Sequence, residues 1–133
     1  MATQAPTRTR DELAALAASY FRAVDAKDVD GVLSHFAHDA TLTVQTDHVT
    51  FTGADEIRRM FTDFLGNSRS VFHEIKNIVV EEAAAKVATE QSYIGELADG
   101  SRNDMHNCNF FDVGPDGTFT RVIIWMAGTN PLK

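Results

Sequence analysis

The sequence predicts an α+β domain, with helices from its first half packed on one face of a curved antiparallel sheet from its second half. Two observations carry this. Apolar residues recur at three- and four-residue steps before residue 66, and from Ser70 the pattern becomes long runs of alternating, β-branched residues. The second half is also punctuated by Asp99-Gly100 and by Gly114-Pro115-Asp116-Gly117, both strong hairpin signals.

The elements follow in order. Thr9-Arg10-Asp11-Glu12 has the spacing of a capping box, and behind it Leu13, Leu16, Ala17, Tyr20, Phe21 and Val24 form the stripe of an amphipathic helix. Asp28 can cap a second, shorter helix that buries Val32, Leu33 and Phe36. Residues 41–44 and 49–52 read as a strand pair around a turn at Thr46-Asp47-His48. Gly53 opens a third helix whose apolar face is Ile57, Met60, Phe61 and Phe64, with Gly66 as its stop. Four long strands are expected at 72–81, 86–98, 102–113 and 118–127. The link at 82–85 is the weakest turn, because Ala and Glu favour helix.

Composition bounds the function. The 133 residues are 44% hydrophobic and 23% charged, ordinary for one soluble domain. A net charge of −7 argues against a nucleic-acid backbone as partner, since such domains carry a basic stripe. No apolar run approaches a membrane span and residues 1–10 lack a signal-peptide core, so a cytoplasmic protein is expected. The single cysteine, Cys108, excludes an intrachain disulfide and a cysteine-based zinc site. No metal or cofactor is expected.

The runs SYFRAVDAKDVDGVLSHFAHDATL, FTGADEIRRMF, HEIKNIVVE and NFFDVGPDGTFTRVIIW resemble the nuclear transport factor 2-like superfamily, and within it the SnoaL-like, ketosteroid-isomerase-like and scytalone-dehydratase-like enzymes. The resemblance covers residues 11–128, leaving 1–10 as a flexible N-terminus and 129–133 as a tail. It implies a cone in which the curved sheet wraps three helices around one apolar pocket. Members include isomerases, dehydratases, cyclases, epoxide hydrolases and non-catalytic proteins, so the fold decides little about the reaction.

Two polar residues stand out together. Asp25 lies near the end of the first helix. His73 opens the first long strand, where simple alternation groups it with Ile75, Asn77 and Val79 against Phe72, Glu74, Lys76, Ile78 and Val80. They match the places where the dehydratases and a dehydrochlorinase of the group keep a His–Asp pair. Such a pair is a general base near neutral pH, the carboxylate fixing the tautomer; the bland alternative is a structural hydrogen bond. Tyr20 matches the oxyanion donor of ketosteroid isomerase, although it lies about 140° around an ideal helix from Asp25. It reads equally as core. Asn109 falls where that isomerase keeps a protonated acid, and Phe111, Trp125, Val44 and Phe64 are expected to line the pocket.

The departures are informative. The isomerase base position holds Val44, and the second histidine and tyrosine of scytalone dehydratase fall near Leu97 and Thr46. The dehydrochlorinase lysine is replaced by Tyr20. His35, His38, His48 and His106 read as peripheral, with His35 and His38 on the second helix, and Cys108 as packing. The expectation is therefore a cofactor-independent enzyme on a small apolar molecule, using His73 and Asp25 for elimination, isomerisation or cyclisation. Water activation toward an epoxide and a non-catalytic binding module remain alternatives. A homodimer is expected through the outer sheet face, on Phe72, Ile78, Val80, Cys108 and Phe110.

Overall fold

The computed structural model describes residues 8–127; the expected flexible N-terminus up to residue 7 and the tail at 129–133 lie outside them. The chain runs α1 (Arg10–Asp25), α2 (Val29–Leu33), β1 (Phe36–Val44), a 3-10 turn (Gln45–Asp47), β2 (Val49–Thr52), α3 (Ala54–Gly66), β3 (Ser68–Glu81), β4 (Lys86–Leu97), β5 (Met105–Val113) and β6 (Phe119–Trp125). The capping box at Thr9 and Glu12 forms, and Asp28 caps α2 through the Gly31 amide. Phe36 and His38 belong to β1 rather than to α2, and Gly66 ends α3 without a left-handed turn.

The strands make one six-stranded sheet in the order β2-β1-β6-β5-β4-β3. All neighbours are antiparallel except β1 and β6, which pair in parallel and join the early hairpin to the meander. That junction makes the sheet mixed rather than antiparallel. The sheet is curved and open, with the three helices against it, as the cone-shaped fold requires. Its concave side meets the buried faces of α1 (Leu13, Ala17, Tyr20, Phe21, Val24) and α3 (Ile57, Phe61, Leu65). Tyr20 is the hub of an aromatic cluster, with Phe21, Phe36, Phe61, Phe111 and Phe119 at ring separations of 5.0–6.2 Å in edge-on contact.

Two hairpin turns use glycine at positive φ, Gly100 at 90° and Gly117 at 84°. The weak link at 82–85 closes through Ala85 at φ 52°, a conformation that a Cβ resists, which is why no turn signal marks it. β3 carries two register shifts, at Arg69 and at Lys76. At Lys76 the extra residue reverses the alternation. Val71, His73 and Ile75 point inward before it; Ile78 and Val80 point inward after it, while Val79 is 67% exposed. Ile78 and Val80 therefore pack on the core rather than on the outer face, and Val79 leaves the inner face assigned to it by simple alternation.

Candidate active site

The site begins where α1 stops. Lys27, at φ 57°, turns the chain immediately after Asp25, and its Nζ donates to the Ser68 carbonyl at 2.6 Å. This ties the end of the helix to the start of β3 and sets the Asp25 carboxylate against His73. Both carboxylate oxygens are used: the His73 backbone N–H donates to Oδ2 at 3.0 Å, and His73 Nδ1 lies 2.7 Å from Oδ1. An ionised carboxylate only accepts, so the bond places the imidazole proton on Nδ1 and leaves the Nε2 lone pair free. Nε2 has no hydrogen-bond partner among the described residues. The ring is held between Phe21, at 4.8 Å, and Tyr93, at 5.1 Å, and its side chain is 10% exposed.

Beside this pair lies an apolar cavity of about 180 Å³. Helix α1 contributes Tyr20 and Val24, and α3 contributes Met60, Phe61 and Phe64. The sheet supplies Val44, Tyr93, Met105, Asn107 and Ile124, and Met126, just beyond β6, also lines it. His73 is not itself on the wall; Tyr93, its cross-strand partner, touches both the imidazole and the cavity. Tyr20 is buried on the wall, and its hydroxyl has no hydrogen-bond partner among the described residues. Burial, and secondarily the Asp25 charge, push its phenol well above the usual range, so it stays a protonated donor.

Three expected pocket residues lie elsewhere. Asn109 is buried off the wall, its Oδ1 accepting from Gln91 Nε2 at 2.9 Å while Thr89 donates to Gln91 Oε1 at 2.8 Å. That polar chain inside the sheet uses the amide structurally. Phe111 is fully buried against Tyr20, behind the cavity wall rather than on it. Trp125 pairs directly with Cys108, and opposed residues share a face, so its side chain points outward and is 50% exposed. Ile124 takes the inward place. The polar strand residue that does reach the wall is Asn107, two residues from Asn109 on the same face.

The sequence pattern of the SnoaL-like domain matches residues 17–122. The chain belongs to the SnoaL-like family. No functionally curated protein matches this SnoaL-like domain in sequence. Among solved structures it is similar to AusH from Aspergillus nidulans, with 20% identity over 94% of this chain and 89% of that one and a TM-score of 0.82. A protein of Novosphingobium aromaticivorans, provisionally named an aromatic ring hydroxylase, shares 26% identity over 95% and 96% of the chains, with a TM-score of 0.81. The BvnE pinacolase of Penicillium brevicompactum shares 15% identity over 90% and 88%, with a TM-score of 0.79.

The other polar groups of this SnoaL-like domain are spread out. His106 pairs with Glu90, which also accepts from Asn77, on the outer sheet face. Glu90 is thereby held below the usual carboxylate range, chiefly by the His106 bond. His35 is half-buried in the link from α2 to β1 rather than peripheral, with Nδ1 on the Gly31 carbonyl and Nε2 on Ser19 Oγ. Among the described residues no three His, Cys, Asp or Glu side chains gather to hold a metal ion. No helix there is long and apolar enough to cross a membrane.

Proposed function

We propose that this SnoaL-like domain is a cofactor-independent enzyme that removes a proton from a small, largely apolar molecule. The observation that carries the reading is the His73–Asp25 pair, with both carboxylate oxygens engaged and Nε2 unpartnered, beside an apolar cavity that holds the Tyr20 hydroxyl. Nε2 takes a proton from carbon next to a carbonyl, and the C–H electrons move onto the carbonyl oxygen. Asp25 stabilises the imidazolium so formed, and Tyr20 donates to the oxyanion. In an elimination the oxyanion electrons re-form the carbonyl, and the carbon–carbon double bond that forms expels hydroxide from the neighbouring carbon. The imidazolium gives that hydroxide its proton, releasing water. In an isomerisation the proton returns to a different carbon; in an aldol-type cyclisation the enolate carbon bonds to a second carbonyl of the substrate, whose oxygen takes the proton. Elimination suits a single residue acting as base and then acid. The fold shared with a pinacolase supports small-molecule chemistry of this general kind.

A second reading rests on a specific feature: Tyr93, not His73, forms the cavity wall, as a non-catalytic binding module would have it. One experiment separates the two. The enzyme is incubated in D2O with 3-methylcyclohex-2-enone and related enolisable ketones, and α-hydrogen exchange is followed by NMR alongside thermal melts. Proton abstraction predicts exchange that falls about 10²–10⁴-fold in His73→Gln and comparably in Asp25→Asn. The double variant should be no worse than the singles, because the pair acts as one unit. Full exchange activity in folded His73→Gln would sink the reading. A binding module predicts no enzyme-dependent exchange and only a lowered melting temperature.

A further inference from the structure

Asn107 has a property that Asn109 lacks. Its Oδ1 accepts from the Ala127 backbone N–H at 3.2 Å, which fixes the orientation of the amide. What remains is the NH2 group, a pure donor, on a residue that is 5% exposed and lines the cavity. Tyr20, on the same wall, is also held as a donor, since its phenol does not ionise at ordinary pH. Tyr93 also lines the wall, but its hydroxyl is buried away from the cavity, against Gly95 and Asn103. The two polar groups left facing this otherwise apolar cavity thus offer hydrogens and no strong acceptor.

Charge and size narrow the ligand further. Among the described residues no Lys, Arg or His lies on the wall, and the charge acting on Tyr20 is the Asp25 carboxylate. An anionic ligand would lose its hydration without gaining a counter-charge and would be repelled besides. An apolar cavity of roughly 150 Å³ accommodates benzene. About 180 Å³ therefore suits one ring with a short substituent and not a fused tetracycle.

We infer that the cavity selects neutral, single-ring carbonyl compounds, with Asn107 Nδ2 and Tyr20 Oη as the two donors available to the carbonyl oxygen, and that Asn107 is a specificity-determining residue. The inference rests on the reading that this cavity is the substrate site, but it concerns binding and needs no turnover. A carbonyl oxygen accepts two hydrogen bonds, so it matches two donors. A hydrocarbon of the same shape leaves both donors dry and unpaired, at an expected loss of about tenfold or more in affinity.

The test is calorimetric titration of the full chain with 3-methylcyclohex-2-enone, 1,3-dimethylcyclohexene, benzoate and androst-4-ene-3,17-dione. The Asn107 side-chain NH2 resonances are followed in parallel by NMR. The expected result is binding of the enone with a shift of those resonances, the cyclohexene at least about tenfold weaker, and no binding of the anion or the steroid. Asn107→Leu should reduce the preference for enone over cyclohexene, and Tyr20→Phe should reduce it independently. If Asn107→Leu does not fold, Tyr20→Phe and the four-ligand comparison on the unaltered protein still decide the matter. Equal binding of enone and cyclohexene, tighter binding of benzoate or steroid, or no enone binding at millimolar concentration overturns the inference. Selective binding without isotope exchange would leave it standing while removing the proton-abstraction reading. Exchange lost in His73→Gln without carbonyl selectivity would do the reverse.

Discussion

Tyr20 shows how one side chain serves both core and site. Its ring is the centre of the aromatic cluster, and its hydroxyl sits on the cavity wall. Burial and the Asp25 charge raise its pKa above the ordinary value of 10.0. A raised folded-state pKa means a contribution fully present below the unfolded pKa and lost as pH rises past it, because the unfolded phenol ionises first. Tyr20→Phe removes that linkage. It is expected to match the parent protein in stability near pH 7 and to lose less of it between pH 10 and 11.5, by denaturant melts with tyrosinate absorbance as the titration signal. An identical alkaline decline in both proteins would show that the phenol is not buried as described. Asp25, His73, Tyr20, Val44 and Phe64 could be picked from the sequence because family resemblance and helix periodicity locate them. Asn107 could not. It shares a face with Asn109, and which of the two meets the cavity depends on how far along β5 the helices reach, which alternation does not encode.

At the level of elements, helix caps, the apolar stripes and the glycine turns were all legible, since each is written in residues close in sequence. What escaped was register. A single extra residue at Lys76 exchanges the two faces of the following strand, and nothing in the residue types around it announces the change. The orientation of Trp125 failed for the same reason: it depends on which residue of β5 it opposes, and β6 has a further irregularity beside Asp112 and Val113. The bulge makes a clear prediction. Val79→Thr should stay within about 0.5 kcal/mol of the parent, as exposed substitutions do. Val80→Thr sets a hydroxyl against the core and should cost about 1–2 kcal/mol. Urea midpoints compare the two, and the reverse order would remove the bulge from the description.

For the whole molecule, the outer face of the sheet dominates. Val79, Ala88, Phe110 and Ile123 stand in register across β3, β4, β5 and β6, and Phe72, Ile94 and Trp125 extend the exposed apolar surface. Glu81, Lys86, Asp112 and Arg121 form the next row in the same register and give the patch a charged edge. An apolar centre with a polar rim is the anatomy of a protein interface, and the expected occupant is a second copy of the chain. Light scattering should give twice the 14.6 kDa chain mass at micromolar concentration. Phe110→Glu should give the single mass with unchanged circular dichroism, and a monomeric parent protein would count against pairing. The parallel contact between β1 and β6 has a consequence of another kind, in time rather than space. Of the six described strands, the one synthesised last, β6, is inserted between the two halves of the sheet, so β1 and β2 have no other strand to join until β6 has been made. Phe36, Ala40 and Leu42, buried in the finished domain, have only helices to cover them until then, and folding waits on a contact between distant segments.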